Sequence, residues 1–218
     1  MKSIVIAGTR GIGRAISKEL QPISDEHVVT GQKDLDTADI EAVKHFIQRH
    51  ESTDVLVLNS GGPPAKPFWD ICETEWVHYF NQLFLSFALI LRGIKINPGG
   101  AVFLISSYYV KEPNQNLILS NSIRIGFSSV FKSVSKLYLD KGVSFVNIAP
   151  GPTDTDRLRK LIDSSGQTMD EFVKALPTHR LGDAGEIGKF VRFIVENKIK
   201  GINGVTINFD SGLSNYVL

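Results

Sequence analysis

Short apolar runs alternate with longer amphipathic segments along the whole chain. The apolar runs cover residues 4–7, 27–30, 55–58, 101–105, 143–148 and 204–208. Runs that are continuously apolar, without a polar residue at every second position, are typical of strands buried on both faces, as in a parallel sheet. The pattern predicts an α/β fold: a single-domain, doubly wound parallel sheet of about six or seven strands with helices on both faces.

The amphipathic segments predict the helices between these strands. The main ones are expected at residues 12–20, 37–50, 75–91, 121–139 and 184–196, and two shorter ones at 158–162 and 169–176. Thr37 and Asp183 precede two of these segments and are the expected N-caps, because a side-chain oxygen there can accept from free N–H groups of the first turn. We find no internal repeat or linker in the sequence, so we expect one domain over residues 1–218.

Composition and charge narrow the possible partners. The 218 residues are 42% hydrophobic and carry 24 Lys plus Arg against 23 Asp plus Glu, a formal net charge of +1. This balance predicts no nucleic-acid partner, and the longest apolar region, residues 83–91, predicts no membrane span. The single cysteine, Cys72, fits a reducing cytoplasm, and we expect it to pack against apolar neighbours rather than act as a nucleophile.

A glycine-rich turn joins the first predicted strand to the first predicted helix. Gly8, Gly11 and Gly13 follow the apolar run directly. Glycines at such a turn let the backbone approach a pyrophosphate, whose charge is met by free N–H groups and by the positive end of the helix dipole. The segment predicts a nucleotide site, and a plain tight turn is the alternative.

Further motifs follow in an order that resembles the short-chain dehydrogenase/reductase family. The likeness is to a divergent branch similar to 3-oxoacyl-(acyl carrier protein) reductases and extends over nearly the whole chain. The motifs are Asn59-Ser60-Gly61-Gly62, Asn81, Ile105-Ser106-Ser107, Pro150-Gly151-Pro152-Thr153-Asp154-Thr155, Arg180-Leu181-Gly182 and Asp210-Ser211-Gly212. The glycine turn departs from the family's T-G-x-x-x-G-x-G, since it is one residue shorter and begins with Ala7. The resemblance implies a Rossmann fold that binds a nicotinamide dinucleotide.

The resemblance also implies which residues border that dinucleotide. Asn59 and Gly61 would lie at the adenosine ribose, and Thr153 and Thr155 near the nicotinamide carboxamide and the pyrophosphate. The full implied set is Gly8, Thr9, Arg10, Gly11, Ile12, Gly13, Lys33, Asp34, Leu35, Asn59, Ser60, Gly61, Pro150, Gly151, Thr153 and Thr155.

The end of the second predicted strand bears on the choice between NADP and NAD. It runs from Thr30 to Lys33 without the acid that bonds the 2′-hydroxyl of NAD in many Rossmann folds. Arg10 and Lys33 are cations that could meet a 2′-phosphate, so NADP is favoured and NAD stays possible; the alternative is that both are simply solvated. The chain passes from here to Asp34-Leu35, an adenine contact in the family, so quickly that the family's intervening helix is expected to be missing.

The catalytic positions depart most from the family. The resemblance implies that Ser107 holds the substrate oxygen and that Asn81 orders water. Where the family has Tyr-x-x-x-Lys, this chain has Ser120 and Arg124. An aliphatic hydroxyl cannot match a tuned phenol as an acid, and a guanidinium does not relay protons, although its planar fork can hold a ribose, a carboxylate or a phosphate. The remaining proton-donor candidates are Tyr108, Tyr109 and a water held by Ser107 and Ser120, and packing at the rim is the alternative for the tyrosines.

Together these residues predict an NADP(H)-dependent oxidoreductase that interconverts a carbonyl compound and a secondary alcohol by hydride transfer. The alternatives are a catalytically inactive dinucleotide-binding sensor or regulatory subunit, and a scaffold or an enzyme of different chemistry. A substrate lid is expected at about residues 156–178, where Arg157, Arg159 and Lys160 would favour an acidic substrate or form a solvated face. Aromatic residues on the helices at 75–91 and 121–139 predict a homotetramer or dimer, with an ordinary internal core as the alternative.

Overall fold

A single parallel sheet organises the chain. The structure, a computed structural model, describes residues 1–216, and in that range six strands lie in the order β2-β1-β3-β4-β5-β6 with every neighbouring pair parallel. The strands are β1 (Lys2–Val5), β2 (Glu26–Val29), β3 (Ser52–Leu58), β4 (Lys95–Ile105), β5 (Ser144–Pro150) and β6 (Val205–Phe209). The predicted doubly wound α/β fold is confirmed. Because β2 and β3 lie on opposite sides of β1, the winding reverses at β1, where such folds bind ligands.

Helices cover both faces of the sheet. They are α1 (Gly11–Leu20), α2 (Ile40–Arg49), α3 (Glu73–Phe80), α4 (Ser86–Gly93), α5 (Ile118–Ser135), α6 (Asp156–Ser165), α7 (Met169–Ala175) and α8 (Ala184–Glu196). On one face, Ile16 of α1 and Val191 of α8 pack against the strands. On the other, Phe46 of α2, Phe87 of α4 and Phe127 of α5 do so. The apolar runs are therefore strands buried from both sides, as their composition predicts.

Strand β4 extends further than its apolar run indicates. Its first residues pair with β3 through Ser52 opposite Lys95, and the pairing resumes with Val55 opposite Ala101 after an irregularity. The irregular stretch of the strand includes Gly99, whose φ is +77°. Sequence periodicity misses this extension because Pro98, Gly99 and Gly100 interrupt the apolar run.

The first turn of α2 corrects one predicted cap. The helix begins at Ile40, and the Asp39 carboxylate accepts from the N–H groups of Glu41 and Ala42 at 3.0 and 3.1 Å. Thr37 is not the cap: it is buried, and its hydroxyl lies 3.3 Å from that of Ser60. The second predicted cap is confirmed, since Asp183 accepts from the N–H of Gly185 at 2.7 Å.

The predicted helix at 75–91 is divided in two. A five-residue π-helical turn, Asn81–Leu85, separates α3 from α4. Cys72 stands immediately before α3 and is exposed, with its Sγ 3.3 Å from a carboxylate oxygen of Glu75. The expectation that Cys72 packs against apolar neighbours is wrong, because it lies outside the amphipathic stripe of the helix that follows.

The aromatic residues of these helices are shared between the core and the surface. Phe84 and Phe87 both contact Phe127, with ring centroids 5.7 and 5.5 Å apart. Phe80 and Ile125 are exposed. The internal core therefore accounts for part of the aromatic surface, and oligomerisation through the exposed part stays a prediction. In residues 1–216 we find no helix long and apolar enough to cross a membrane.

Candidate active site

The predicted motifs meet at the carboxyl edge of the sheet. The glycine turn follows β1, Asn59 follows β3, Ser107 follows β4 and Gly151 follows β5. Since the carboxyl ends of parallel strands share one edge, residues more than a hundred positions apart in the chain border the same cleft.

The start of α1 presents free backbone donors to this cleft. Arg10 precedes the helix in an extended conformation, and its side chain does not cap the first turn in the part of the chain that the structure describes. By contrast, α2, α6, α7 and α8 are each capped by a side-chain oxygen, from Asp39, Thr155, Thr168 and Asp183. An uncapped helix start carries unpaired N–H groups and a partial positive charge, which is the arrangement that binds phosphate.

Close packing explains the glycines of this turn. A Cβ at Gly13 would lie 2.3 Å from the carbonyl oxygen of Ala7 and 2.6 Å from Nδ2 of Asn59. Asn59 itself donates to that carbonyl at 3.0 Å, which ties the end of β3 to the turn. Gly11 has a φ of +52°, and a Cβ there would lie 3.3 Å from Cγ2 of Thr155. The P-G loop after β5 therefore lies directly beside the glycine turn.

The shortened turn contains a strained alanine. Ala7 has a φ of +50°, a left-handed conformation that favours glycine. The side chain and backbone of Thr30 hold it there: the Thr30 hydroxyl accepts from the N–H of Ala7 at 3.1 Å, and its carbonyl accepts from the N–H of Gly8 at 2.8 Å. The sequence shows that this turn is one residue short, but only the structure shows the strain at Ala7 that accompanies the shortening.

The adenosine end of the cleft holds both cations and an acid. Arg10 and Lys33 are exposed. Asp34, however, folds back so that its carboxylate accepts from the N–H of Gly31 at 2.8 Å. An acid therefore stands at the end of β2 in space, although the linear sequence ends that strand without one. The side chain of Leu35 is buried in the core, so it contributes no side-chain surface to the cleft.

The P-G loop is held rigidly. Pro150 ends β5, and the Gly151 N–H donates to the Phe209 carbonyl at 2.9 Å. The hydroxyl of Thr153 donates to the Gly151 carbonyl at 3.0 Å, while Thr155 caps α6 by accepting from the N–H of Leu158 at 3.3 Å. These bonds place both predicted threonines in one fixed loop.

Ser107 begins a short helical turn after β4. Its hydroxyl accepts from the N–H of Tyr109 at 3.3 Å. The rings of Tyr108 and Tyr109 pack with centroids 4.0 Å apart. Burial and a hydrogen bond to Tyr109 raise the pKa of Tyr108 above its usual range, which makes this phenol a weaker acid. The shift weighs against Tyr108 as the proton donor.

Ser120 and Arg124 come together one helical turn apart on α5. Both are buried, with Arg124 9% exposed, and Nε of Arg124 donates to the Ser120 hydroxyl at 3.2 Å. Nη1 donates to the Ile105 carbonyl at 3.1 Å, and Nη2 lies 3.5 and 3.4 Å from the carbonyls of Ser60 and Gly61. One guanidinium thus links α5 to the ends of β3 and β4. Burial, and then the charge of Arg157, lower the pKa of Arg124 to about 9, so it stays charged at neutral pH.

Asn81 opens the π-helical turn and is half-buried. Its neighbour Gln82 makes the contact to the cleft, since Nε2 donates to the Ser60 hydroxyl at 3.0 Å. That hydroxyl is the one 3.3 Å from Thr37. Gln82 is a polar residue that motif matching misses, because its position carries no signature in the family pattern.

Comparison with known proteins identifies the family. A short-chain dehydrogenase profile, described as Enoyl-(Acyl carrier protein) reductase, matches residues 29–214. The chain belongs to the short-chain dehydrogenase/reductase family. Among its relatives, the 3-oxoacyl-(acyl carrier protein) reductase FabG of Chlamydia trachomatis is 27% identical over 209 residues, covering 93% of this chain and 78% of that protein.

Solved structures of other proteins share the fold. YwfH, described as an NADPH dependent reductase involved in bacilysin biosynthesis, superposes with a TM-score of 0.85 at 16% identity over 99% of both chains. A short chain dehydrogenase from Burkholderia cenocepacia in complex with NADP has a TM-score of 0.82 at 20% identity over 97% of both chains.

One site residue stands outside the family motifs. Arg157, in the first turn of α6, donates from Nη1 to the Gly62 carbonyl at 2.6 Å and from Nη2 to the Pro63 carbonyl at 2.9 Å. It joins the predicted lid to the loop after β3.

Within residues 1–216 we find no cluster of His, Cys, Asp or Glu that could hold a metal ion.

Proposed function

We propose that this short-chain dehydrogenase/reductase is an NADP(H)-dependent oxidoreductase that interconverts a carbonyl compound and a secondary alcohol by hydride transfer. The observation that carries the proposal is that two features lie at the same edge of the sheet. One is the uncapped, glycine-lined start of α1. The other is the polar group of Ser107, Ser120 and Arg124 at the ends of β4 and α5.

The residues of the cleft fit a dinucleotide. The N–H groups of Gly11, Ile12 and Gly13 would meet the diphosphate, as at other glycine-rich helix starts. Asn59 and Gly61 would border the adenosine ribose, and Thr153 and Thr155 would border the nicotinamide half. When bound, the reduced nicotinamide supplies the hydride.

NADP is proposed in preference to NAD. Arg10 and Lys33 are exposed cations beside the end of β2 and can meet a 2′-phosphate. Two proteins of the same fold are described with NADP or NADPH. The Asp34 carboxylate would oppose a phosphate at this place, and the hydrogen bond from the N–H of Gly31 to one of its oxygens fixes its position without removing its charge; the two cations would have to outweigh it.

The reaction-side residues would act on the carbonyl oxygen. Ser107 would donate its hydroxyl hydrogen to that oxygen and fix the carbonyl in the cleft. The positive charge of Arg124 would stabilise the negative charge that develops on the oxygen as the carbon accepts hydride. The proton that completes the alcohol would come from Tyr109, or from a water between Ser107 and Ser120, because the raised pKa of Tyr108 disfavours it as the donor.

One observation favours the alternative of a dinucleotide-binding sensor without turnover. The Arg124 guanidinium is engaged by carbonyl groups and by Ser120, so it is held as a structural link as well as a charge. Under this alternative the cleft would bind the dinucleotide and no carbonyl compound would be reduced.

A fluorescence titration with NADPH and NADH tests the proposal first. We expect NADPH to bind more tightly, and Arg10→Ala and Lys33→Ala each to weaken NADPH binding by about tenfold while leaving NADH binding nearly unchanged. Lys18→Ala, which removes an exposed cation further along α1, is the matched control. A panel of aldehydes and ketones then separates the two functions: NADPH oxidation supports the reductase, and binding without oxidation supports the sensor.

Two further elements of the proposal concern segments around the cleft. Helices α6 and α7 would form the substrate lid, and Arg157 already reaches from α6 to the opposite loop.

The exposed apolar residues Val77, Phe80 and Ile125 would contact a second copy of the chain. Light scattering on the purified protein checks the second point, since a monomeric mass at micromolar concentration would contradict it.

A further inference from the structure

Two arginines meet beside the cleft without a carboxylate partner. Among residues 1–216, neither Arg124 nor Arg157 forms an ion pair, and their guanidinium groups are bonded to main-chain carbonyls and one hydroxyl. A carbonyl oxygen accepts a hydrogen bond but carries no net charge. The positive charges of this pair are therefore solvated by dipoles and not balanced by an anion of the chain itself.

The loop after β3 makes room for both groups. A Cβ at Gly62 would lie 2.8 Å from Nη2 of Arg157 and 3.1 Å from Nη2 of Arg124. The two nitrogens therefore approach the same point above Gly62. Like charges this close repel each other, and the charge of Arg157 contributes to lowering the pKa of Arg124. A bound anion between them would relieve that repulsion.

Two other arginines of the chain form ion pairs. Arg159, two residues after Arg157 on α6, pairs with Asp154 at 2.6 Å. Arg192 pairs with both Glu19 and Glu196. These two arginines find carboxylates within the chain. Other arginines without an ion pair in residues 1–216, such as Arg14 and Arg92, are exposed to solvent, whereas Arg124 is buried beside a second guanidinium.

We propose that the substrate is an oxo acid whose carboxylate is bound between Arg157 and Arg124. A guanidinium has five N–H donors in a planar fork that matches a carboxylate. Nη1 and Nη2 of Arg157 each donate to one carbonyl group, which leaves further N–H groups for a ligand. Arg157 stands on the proposed lid, so the same contact would hold the lid over the substrate. The identity of the substrate rests on the proposed reductase function, but the anion site rests on the two arginines alone.

Binding of a non-reducible probe tests the anion site independently of turnover. Oxamate carries a carboxylate beside an amide carbonyl, and oxamide is its neutral counterpart. Calorimetry at constant ionic strength on the NADPH-loaded protein should show oxamate binding at least about tenfold more tightly than oxamide. Arg157→Gln should weaken oxamate binding by about tenfold or more, and Arg157→Lys should weaken it less.

Arg159→Gln is the matched control, since it removes the same charge from the same helix at a position with its own acid partner. It should leave oxamate binding nearly unchanged. Thermal unfolding of each variant checks that the fold is retained. Equal binding of oxamate and oxamide, or equal oxamate binding by the Arg157→Gln and Arg159→Gln variants, would overturn the site.

Two competing anions are separated in the same experiment. If Arg157→Gln weakens NADPH binding about tenfold in the absence of oxamate, the anion is a phosphate of the dinucleotide and the proposal is wrong. If inorganic phosphate binds more tightly than oxamate, the carboxylate assignment is wrong.

Kinetics then connect the site to the substrate. Oxo acids with the ketone at C2, C3 or C4 are compared with their methyl esters, and Arg157→Gln should raise KM for the best acid at least about tenfold more than it raises KM for the ester of that acid. Oxamate binding without reduction of any carbonyl compound would contradict the reductase function and support the anion site. Reduction of neutral ketones without oxamate binding would contradict the anion site and support the reductase function.

Discussion

The two sides of the cleft differ in whether their polar groups are already hydrogen-bonded within the protein. On the cofactor side, the first turn of α1 is uncapped by any side chain in residues 1–216, and glycines bring its backbone to the surface of the cleft. On the reaction side, the Ser107 hydroxyl accepts from Tyr109, and Arg124 donates to Ser120 and to carbonyl groups. The backbone N–H groups on the first side are free, whereas the side chains on the second side are already hydrogen-bonded within the protein.

This difference separates what each side requires of a ligand. Free N–H groups at a helix start bind an anion without breaking any existing bond. A guanidinium that is already bonded can use its charge and its remaining donors, and its position is fixed before substrate arrives. The cofactor side is thus sensitive to steric change and the reaction side to loss of charge or of a hydrogen bond, which gives each side its own set of tests.

Gly13→Ala is the strongest test of the cofactor side. The added Cβ would lie 2.3 Å from the Ala7 carbonyl, so the backbone must shift. We expect a loss of about 3 kcal/mol in the free energy of unfolding and NADPH binding weakened by about 100-fold. Urea denaturation and fluorescence titration measure the two effects. Gly201→Ala, at a glycine with open space around it, should change stability by less than about 0.5 kcal/mol.

Arg124→Met is the corresponding test of the reaction side. We expect turnover to fall by about 100-fold, since the change removes the charge proposed to stabilise the developing oxyanion and one of the two guanidinium groups proposed to bind the substrate carboxylate. The free energy of unfolding should change by less than about 1 kcal/mol, because the lost hydrogen bonds and the relieved desolvation of an unbalanced charge oppose each other. Arg192→Met, at a partly exposed ion pair, should leave turnover unchanged. Full activity of Arg124→Met would show that this side works without the guanidinium.

Two adjacent serines are expected to affect different properties, one catalysis and the other stability. Ser107→Ala should lower kcat by at least about tenfold, equivalent to about 1.4 kcal/mol, with little change in NADPH binding. Ser106→Ala should keep kcat and lose about 1 kcal/mol of stability, because its buried hydroxyl donates to the Ile148 carbonyl at 3.2 Å. If Ser106→Ala instead lowered kcat and Ser107→Ala lowered only stability, Ser106 would be the residue that faces the substrate.

Ala7→Gly gives the smallest effect and has the opposite sign. Its φ of +50° is strained for alanine, so glycine should stabilise the protein by about 0.5 kcal/mol after the greater flexibility of the unfolded chain is subtracted. Ala42→Gly in α2 should instead destabilise by about 1 kcal/mol. Urea curves for the pair measure both signs, and destabilisation by Ala7→Gly would rule out strain in the turn.

Local features of the fold were predictable because their causes are local. The apolar runs mark the six strands, since a strand covered on both faces has no polar side. Ser120 and Arg124 lie within one predicted helix region, and they meet because residues four apart lie on one face of a helix. The boundaries were less predictable: Asp39 replaces Thr37 as a cap, and the π-helical turn at Asn81–Leu85 interrupts one predicted helix. Neither feature alters the apolar periodicity.

By itself, the sequence determined the layered α/β fold, the glycine turn and the departures at Ser120 and Arg124, because residue type and spacing within one element suffice for each. The tertiary structure alone decided which groups meet across the cleft. It brings Arg157 to the carbonyls of Gly62 and Pro63, more than ninety residues earlier in the chain, and leaves its charge beside that of Arg124. The physical reason is that such contacts depend on loops converging at the sheet edge, and no periodicity within a segment records where another segment will lie.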